Sequence, residues 1–495
     1  MLQCPLGGNV ALLRGGYAVQ AWHHLTCALI YFSQCLLRLA YNAAIVTMPI
    51  PILDAVPSSE TLPGAADVVV IGGGIIGASA ALSLAERRIS VVLCEKGMIG
   101  AEQSGRNWGW CRKQGRDPRE LPLMLESMRL WGRLAERVGT DVGFRETGIL
   151  YLASTASELA SYEAWLELAR PFQLDSKLIG PTELANLLPD GTRKWAGALY
   201  TGSDGRAEPQ KAAPAIARAA SIVGATIVTG CAVRGIETEG GRVAGVVTER
   251  GPVRCSAVIL AGGAWSRLFC GSLRLSLPQL SVRASVMRTA PLDGGPEIAA
   301  KGPGFGFRKR LDGGYTVAHS DRQFHSIVPD SLRLFPRFLP RFLEERHDIQ
   351  LGLNRRFLEE LFRPRRWALD APSPFERCRV LDPEPAVKDL DQALRNLALA
   401  WPVFKKAVAV DRWAGMIDVM PDGIPVISPV PDLPGLTVAT GFTGHGFGIG
   451  PAAGRLAADL ATGAGPIVDP EPFHWSRFQG VRHGVRQVQR IAGAR

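Results

Sequence analysis

The chain has 495 residues, 46% of them hydrophobic and 21% charged, with a formal net charge of +10. That suits a globular protein with ample core and, by its length, two or three domains. The positive excess is diffuse and comes with no zinc-type Cys/His spacing, helix-turn-helix or RNP-like signature, which excludes nucleic acid as a partner; nine scattered cysteines, mostly in apolar runs, exclude a disulfide frame and suit buried thiols in a reducing compartment.

Residues 1–62 do not match the rest of the chain and read as an N-terminal extension. Residues 17–47 are apolar yet carry His23, His24, Gln34, Arg38 and Asn42, and the best apolar piece, 25–37, is too short for a comfortable membrane span. A signal peptide would need a basic start, a clean apolar stretch and a small-residue cleavage site, and these are missing. Met48 and the Pro-rich stretch behind it point to a natural start there, with 1–47 an upstream translation or disordered; a weak membrane anchor is the alternative.

At residues 68–71 an apolar strand runs directly into Gly72, Gly74 and Gly77, a helix comes next over 75–86, a second strand over 91–94, and then Glu95. Gly72 permits a tight turn, Gly74 lets a pyrophosphate approach the backbone, and Gly77 lets helix and strand pack closely. A carboxylate about twenty residues past the glycines accepts both hydroxyls of a ribose and repels a 2′-phosphate. A loop rich in Gly, Ser, Arg and Trp (100–116) precedes a helix over 121–138, a strand over 148–153 and a helix over 156–169. Pro181 starts another helix, and 207–223 is a long Ala-rich one. A strand at 226–228 and a hairpin over 242–255 lead to the buried strand 258–260, which ends in Ala261-Gly262-Gly263-Ala264-Trp265. A second apolar strand ending in glycines is what a dinucleotide fold needs where its sheet meets the cofactor again.

Residues 280–410 differ in character, with strand-like pieces at 281–289 and 314–318. In the Arg/Phe/Leu/Pro segment 331–367, Arg333, Arg337 and Arg341 are four apart; Pro336 and Pro340 argue against a clean helix, and solvated arginines around a packed Phe/Leu face are expected. From 408 the chain turns Gly- and Pro-rich, and strand, glycine loop and helix recur over 437–460. A helix N-terminus behind Gly444, Gly446 and Gly448 is an electropositive surface open to close approach. One cofactor gripped at both glycine loops explains both. For a flavin, that helix end would stabilise the anionic reduced ring, and His445 would either point at the ring or shape the loop. The end of the chain is basic, with Arg477, Arg482, Arg486, Arg490 and Arg495 and no acid after Glu471, and reads as a solvated tail over 481–495.

Four motifs in order resemble the D-amino-acid oxidase/glycine oxidase/sarcosine oxidase superfamily of FAD-dependent amine oxidoreductases. They are Val-Val-Val-Ile-Gly-Gly-Gly-Ile-Ile-Gly from Val68, Val-Ile-Leu-Ala-Gly-Gly-Ala-Trp-Ser over 258–266, Arg-Trp-Ala-Gly with Pro-Asp-Gly-Ile-Pro-Val-Ile over 412–427, and Gly-His-Gly-Phe-Gly-Ile-Gly-Pro-Ala over 444–452. The loop from Ser104 to Asp117 looks like the branch of D-amino-acid dehydrogenase and opine oxidase subunits.

The resemblance implies an α/β architecture, a Rossmann-like FAD-binding domain (63–150, 200–280 and 410–480) with an inserted α+β substrate domain (151–199 and 281–409) on a mixed or antiparallel sheet. It implies FAD, with pyrophosphate at Gly72, Gly74, Ile75, Ile76 and Gly77, ribose on Glu95 beside Lys96, and adenine near Val233. The turn with Ser104, Arg106 and Asn107 and the run Gly444, His445, Gly446, Phe447, Gly448 and Ile449 would hold the flavin ring, and Gly262 and Trp265 would touch the cofactor where the sheet meets it again. The reaction implied is hydride transfer from the carbon bearing the amine of a D-amino acid, imino acid or opine, with a 2-hydroxy acid as the alternative substrate and a flavin subunit of a heteromeric enzyme as the other. An arginine is expected shortly after Trp413 to clamp a carboxylate, but the matching position carries Ile417. The catalytic candidates are therefore Arg112, Lys113 and His445, and the substrate candidates Trp108, Trp110, Lys405, Lys406 and Arg412. No metal is expected. The electron acceptor is left open among oxygen, a quinone and a partner subunit, and the location is read as cytoplasmic or peripheral to the inner membrane.

Overall fold

Val68, Val69, Val70 and Ile71 offer no polar face, so the strand they form needs cover on both sides. In the computed structural model, which describes residues 51–346 and 349–478, this strand sits inside a six-stranded sheet. The order is Val426–Pro429, Leu436–Thr440, Ala257–Leu260, Val68–Ile71, Val91–Cys94 and Thr226–Val228, parallel throughout except for the first. Alternate side chains take opposite faces. Val68, Val70, Val91 and Leu93 share a core with helices Ile75–Ala85, Pro209–Ile222 and Gly446–Thr462. Val69, Ile71, Val92 and Cys94 pack beneath a three-stranded sheet of Val233–Glu239, Arg242–Thr248 and Gly251–Arg254. This is the expected Rossmann-like α/β class. Glycine brings its two glycine-led helices together: a Cβ on Gly454 would lie 2.5 Å from the Ile76 carbonyl oxygen.

A second, mixed sheet has ten strands. Nine run in the order Ile349–Gly352, Gln323–Ser326, Leu280–Thr289, Tyr315–Ala318, Phe305–Lys309, Ala299–Gly302, Ile149–Ala153, Gly197–Thr201 and Ser176–Ile179. The tenth, Ala409–Val419, pairs with Leu280–Thr289 along its length. The boundaries expected at 280/281 and 409/410 thus fall inside two paired strands. One face of the sheet is closed by helix Val387–Ala400, whose Leu390, Ala393 and Leu397 meet Phe305, Phe307 and Tyr315.

Three expectations need correcting. Pro336 and Pro340 do not break their segment: Pro329–Glu345 is one helix with both prolines inside it. Each proline removes a main-chain hydrogen bond, and burial of Leu334 and Phe338 against Val282 and Val419 offsets the loss. The packed Phe/Leu face is narrower than expected, because Leu332, Phe335, Leu339 and Leu343 are exposed. Of the stretch 1–62, residues 54–62 lie along the body. The Asp54 and Ser59 N–H groups donate to the carbonyls of Gln210 (3.1 Å) and Ile227 (2.7 Å), and Leu62 packs on the core. The readings of 1–47 and of the tail 481–495 fall outside the described residues. Among the described residues no helix is long and apolar enough to cross a membrane.

Candidate active site

The two glycine loops and the open face of the larger sheet enclose a cavity of about 430 Å³. At its first loop Gly72 has φ +108°, and a Cβ there would lie 2.5 Å from the Ala261 carbonyl oxygen. Glu95 accepts the N–H groups of Gly73 and Gly97, both at 2.7 Å. Burial raises its carboxyl above the usual value, against the lowering pull of Lys96. Lys96 itself is committed to protein, with Glu102 and the carbonyls of Cys378 and Arg379 at 2.7–3.0 Å. Ser104 Oγ accepts the Ile75 N–H at 2.9 Å, which leaves its own proton to donate. Asn107 closes its turn by donating to the Gln103 and Ser104 carbonyls and accepting from Gly109.

Three buried donors on this cavity wall have no hydrogen-bond partner among the described residues: Gln103 Nε2, Arg106 Nη2 and Trp110 Nε1. Donors left unpaired in a buried site are costly unless a ligand answers them. A flavin is rich in ring nitrogens and carbonyl oxygens that accept, and a pyrophosphate likewise. The residues present therefore fit FAD.

At the second loop, His445 precedes helix Gly446–Thr462. Its Nδ1 lies 3.3 Å from Glu120 Oε2, and Arg116 Nη2 donates to its carbonyl at 3.2 Å. Burial, followed by the Arg116 charge, pushes the imidazole down to about 4, so it is neutral at pH 7. Burial would raise Glu120, but His445 and Arg116 outweigh it and hold the carboxyl below its usual value. The helix begins tightly: Gly448 accepts from Ser127 Oγ and Trp131 Nε1 at 2.7 and 2.8 Å.

The larger sheet supplies the remaining wall through its register. Tyr151 pairs with Lys301, Lys301 with Gly306 and Gly306 with Ala318, so the four face one way. Trp108 lies on Gly306, where a Cβ would come within 2.5 Å of its ring, and packs with Ala318, Val286 and Trp413. Lys301 Nζ is 4.1 Å and the Arg112 guanidinium 5.7 Å from the Tyr151 ring centre. Neither cation has a carboxylate partner among the described residues, whereas Arg106, Arg116 and Arg322 on the same wall pair with Asp382, Glu120 and Asp389.

Of the residues singled out in sequence, Gly72, Gly74, Ile75, Ile76, Glu95, Lys96, Ser104, Arg106, Asn107, Trp108, Trp110, Arg112, Val233, Gly262, Trp265, Ile417 and the run 444–448 line the cavity. Gly77 and Ile449 pack behind it. Lys113 turns away into Asp204 and Asp175, at 3.6 and 3.7 Å. Lys405 and Lys406 are exposed on a turn elsewhere, and Arg412 pairs with Asp391 at 2.8 Å; none of these three lines the cavity. Gln103, Arg116, Glu120, Tyr151 and Lys301 were not legible as site residues.

Trp108 is held from behind. Arg308 Nε donates to its carbonyl, while both terminal nitrogens meet Glu208 at 2.9 and 3.0 Å. Burial would raise the Glu208 carboxyl, but Arg308 overrides it and holds it at about 2. A folded-state value below the unfolded one adds stability above pH 4–5 that is lost as pH falls toward 2, about 3 kcal/mol in all. Glu208→Gln is expected to lower stability at pH 7 by about 3 kcal/mol and to flatten the acid limb. Urea denaturation from pH 5 to 2 checks this; parallel curves for the two proteins would contradict it.

A family model described as FAD dependent oxidoreductase matches residues 67–460. The structure of L-amino acid deaminase from Proteus myxofaciens in complex with anthranilate is 35% identical, with a TM-score of 0.85, over 88% of this chain and 98% of that one. Glycine oxidase of Geobacillus kaustophilus is 28% identical over 428 residues, 84% of this chain and 97% of the relative. Human mitochondrial sarcosine dehydrogenase is 29% identical over 244 residues, which are 48% of this chain but only 27% of that longer protein.

Proposed function

The chain belongs to the DAO family of FAD-dependent oxidoreductases, which oxidise C–N bonds of amino acids and amines, and from that premise we propose that its substrate is an α-amino acid with an apolar side chain. Bound FAD supplies the hydride acceptor for the carbon bearing the amine, and the imine then hydrolyses in water. Arg112 and Lys301, both against the Tyr151 ring, hold the substrate carboxylate. Trp108, Trp110, Val286 and Ile417 wall off the side chain and exclude water. This chemistry needs little acid–base help when the amine arrives neutral, so the protein's task is to orient the C–H bond.

The observation that carries the reading is the pair of cations on the cavity wall without carboxylate partners among the described residues. An unpaired charge there is costly unless an anionic ligand meets it. Ile417 in place of the expected arginine fits a clamp supplied instead by Arg112 and by Lys301, on another strand of the same sheet. The relative with an amino carboxylate, anthranilate, in its structure supports the same class. The electron acceptor (oxygen, a quinone or a partner subunit) and a location in the cytoplasm or at the periphery of the inner membrane are part of the proposal.

The test is anaerobic mixing of the flavin-loaded protein with panels of L- and D-amino acids, N-alkyl amino acids, decarboxylated amines and 2-hydroxy acids. Bleaching of the flavin band by apolar amino acids, and not by the matching decarboxylated amines, is expected. Bleaching by 2-hydroxy acids alone would overturn the reading, and a flavin that nothing reduces would point to a missing partner subunit. Recovery of colour in air separates oxidase from dehydrogenase.

A further inference from the structure

Of the seventeen large apolar side chains exposed among the described residues, nine fall between Leu332 and Phe362. Helix Pro329–Glu345 carries two apolar stripes. Leu334 and Phe338 are buried against the sheet. Leu332, Phe335, Leu339 and Leu343 have a three-four-four spacing, which puts them on one exposed face. The short helix Arg356–Phe362 packs against this one and exposes Leu358, Leu361 and Phe362, and next to it Leu351 and Leu353 are exposed at and beyond the edge strand Ile349–Gly352. Leu332 is 65% exposed and Phe362 78%. None of the nine lines the active-site cavity.

The charge around this patch is net positive: residues 329–366 hold nine arginines and six acids. Part of it is paired, with Arg333 and Arg365 on Asp330, Arg355 on Glu359, and Arg356 and Arg363 on Glu360. Arg337 and Arg366 are exposed and have no carboxylate partner among the described residues. Arginine stems cover apolar surface while their heads reach outward, so an apolar stripe rimmed by arginine suits the boundary between acyl chains and anionic headgroups. A contiguous apolar patch of this kind marks an interaction surface, and the basic rim selects an anionic one.

We propose that helices Pro329–Glu345 and Arg356–Phe362 form a docking surface for an anionic phospholipid bilayer, with the Leu332–Phe335–Leu339–Leu343 stripe immersed in the interface plane and the arginines on the headgroups. The helices lie on the membrane and do not cross it. The surface is separate from the cavity, so its test does not depend on which substrate is oxidised.

The full flavin-loaded chain is sedimented with vesicles of phosphatidylcholine alone and of phosphatidylcholine mixed with phosphatidylglycerol. At least tenfold more protein should pellet with the anionic vesicles, and raised salt should reduce it. The triple variant Leu332→Asp, Phe335→Asp and Leu339→Asp should lose that binding at least tenfold while keeping its flavin content and melting temperature. Undiminished binding by this variant would overturn the proposal and assign the membrane contact to another part of the chain. No binding to either vesicle would also overturn it. So would light scattering that shows a dimer for the natural chain and a monomer for the variant, since a second copy would then be the occupant.

Discussion

Gly77→Ala is expected to purify without flavin and to lose roughly 3 kcal/mol of stability. A Cβ at this position would sit 1.9 Å from the Gly72 carbonyl oxygen and 3.2 Å from Val70 Cγ1. Neither neighbour can yield. Gly72 is pinned by its own approach to Ala261, and Val70 is fully buried in the central strand. The helix must therefore move off the sheet. Its N-terminus carries Ile75, whose N–H meets Ser104 Oγ, so the whole glycine turn on the cavity wall moves with it. Gly74→Ala is the companion variant. A Cβ there meets only Ser104 Oγ, at 3.1 Å, so the fold survives and only the ligand's approach is obstructed. Flavin absorbance per protein and urea midpoints measure both. Normal flavin content in Gly77→Ala would contradict the packing argument; equal destabilisation of the two variants would contradict the distinction between packing and approach.

Such contacts explain why the cofactor half of the molecule is readable in sequence. The strand at Val68–Ile71, the glycines behind it and Glu95 are close in the chain, and each does a job that one residue type performs best. The helices at 156–169 and 209–222 are similarly local, with Thr155 and Glu158 forming a complete capping box at the first. The substrate half is assembled by register instead. Ala299–Gly302 and Phe305–Lys309 are four- and five-residue strands, too short for alternation to stand out from loop sequence. Lys301 reaches the cavity because it is opposite Tyr151, some 150 positions earlier, in a parallel pairing that leaves no local trace. Lys113 shows the converse. It stands beside Arg112, but a backbone turn held by Asp204, which accepts the Lys113 and Gln114 N–H groups at 2.8 and 3.1 Å, sends the two side chains to different places.

The helix over 329–345 is the instructive error. Proline inside a helix is read as a break because of its missing N–H and its clash with the preceding turn. Here Leu334 and Phe338 find a sheet to pack on, and tertiary burial overrides local preference. Sequence could show that Arg, Leu and Phe alternate in this stretch, but not that half of the apolar residues would face outward.

Lys301→Met should lower kcat/KM for an apolar amino acid by about a hundredfold to a thousandfold, mainly through KM, and leave flavin content unchanged. The ammonium lies 4.1 Å from the Tyr151 ring centre, partly buried, with no carboxylate among the described residues to answer it. A contact of that kind with an aromatic face contributes about 1–2 kcal/mol, too little to make holding the cation beside a second one, Arg112, favourable. The folded protein alone is therefore better off without it, and Lys301→Met should be as stable as the natural chain or more so. Loss of substrate binding with no loss of stability separates a binding residue from a structural one. Lys301→Arg keeps the charge and should recover most of the affinity. Arg112→Met should behave like Lys301→Met, and the double variant should lose less than the sum of the two, because both cations meet one carboxylate. For the matching decarboxylated amine all of these variants should equal the natural chain. Steady-state kinetics on the acid–amine pair with thermal melts decides it: an unchanged KM in Lys301→Met, or an equal loss for the decarboxylated amine, would remove the carboxylate from this end of the cavity.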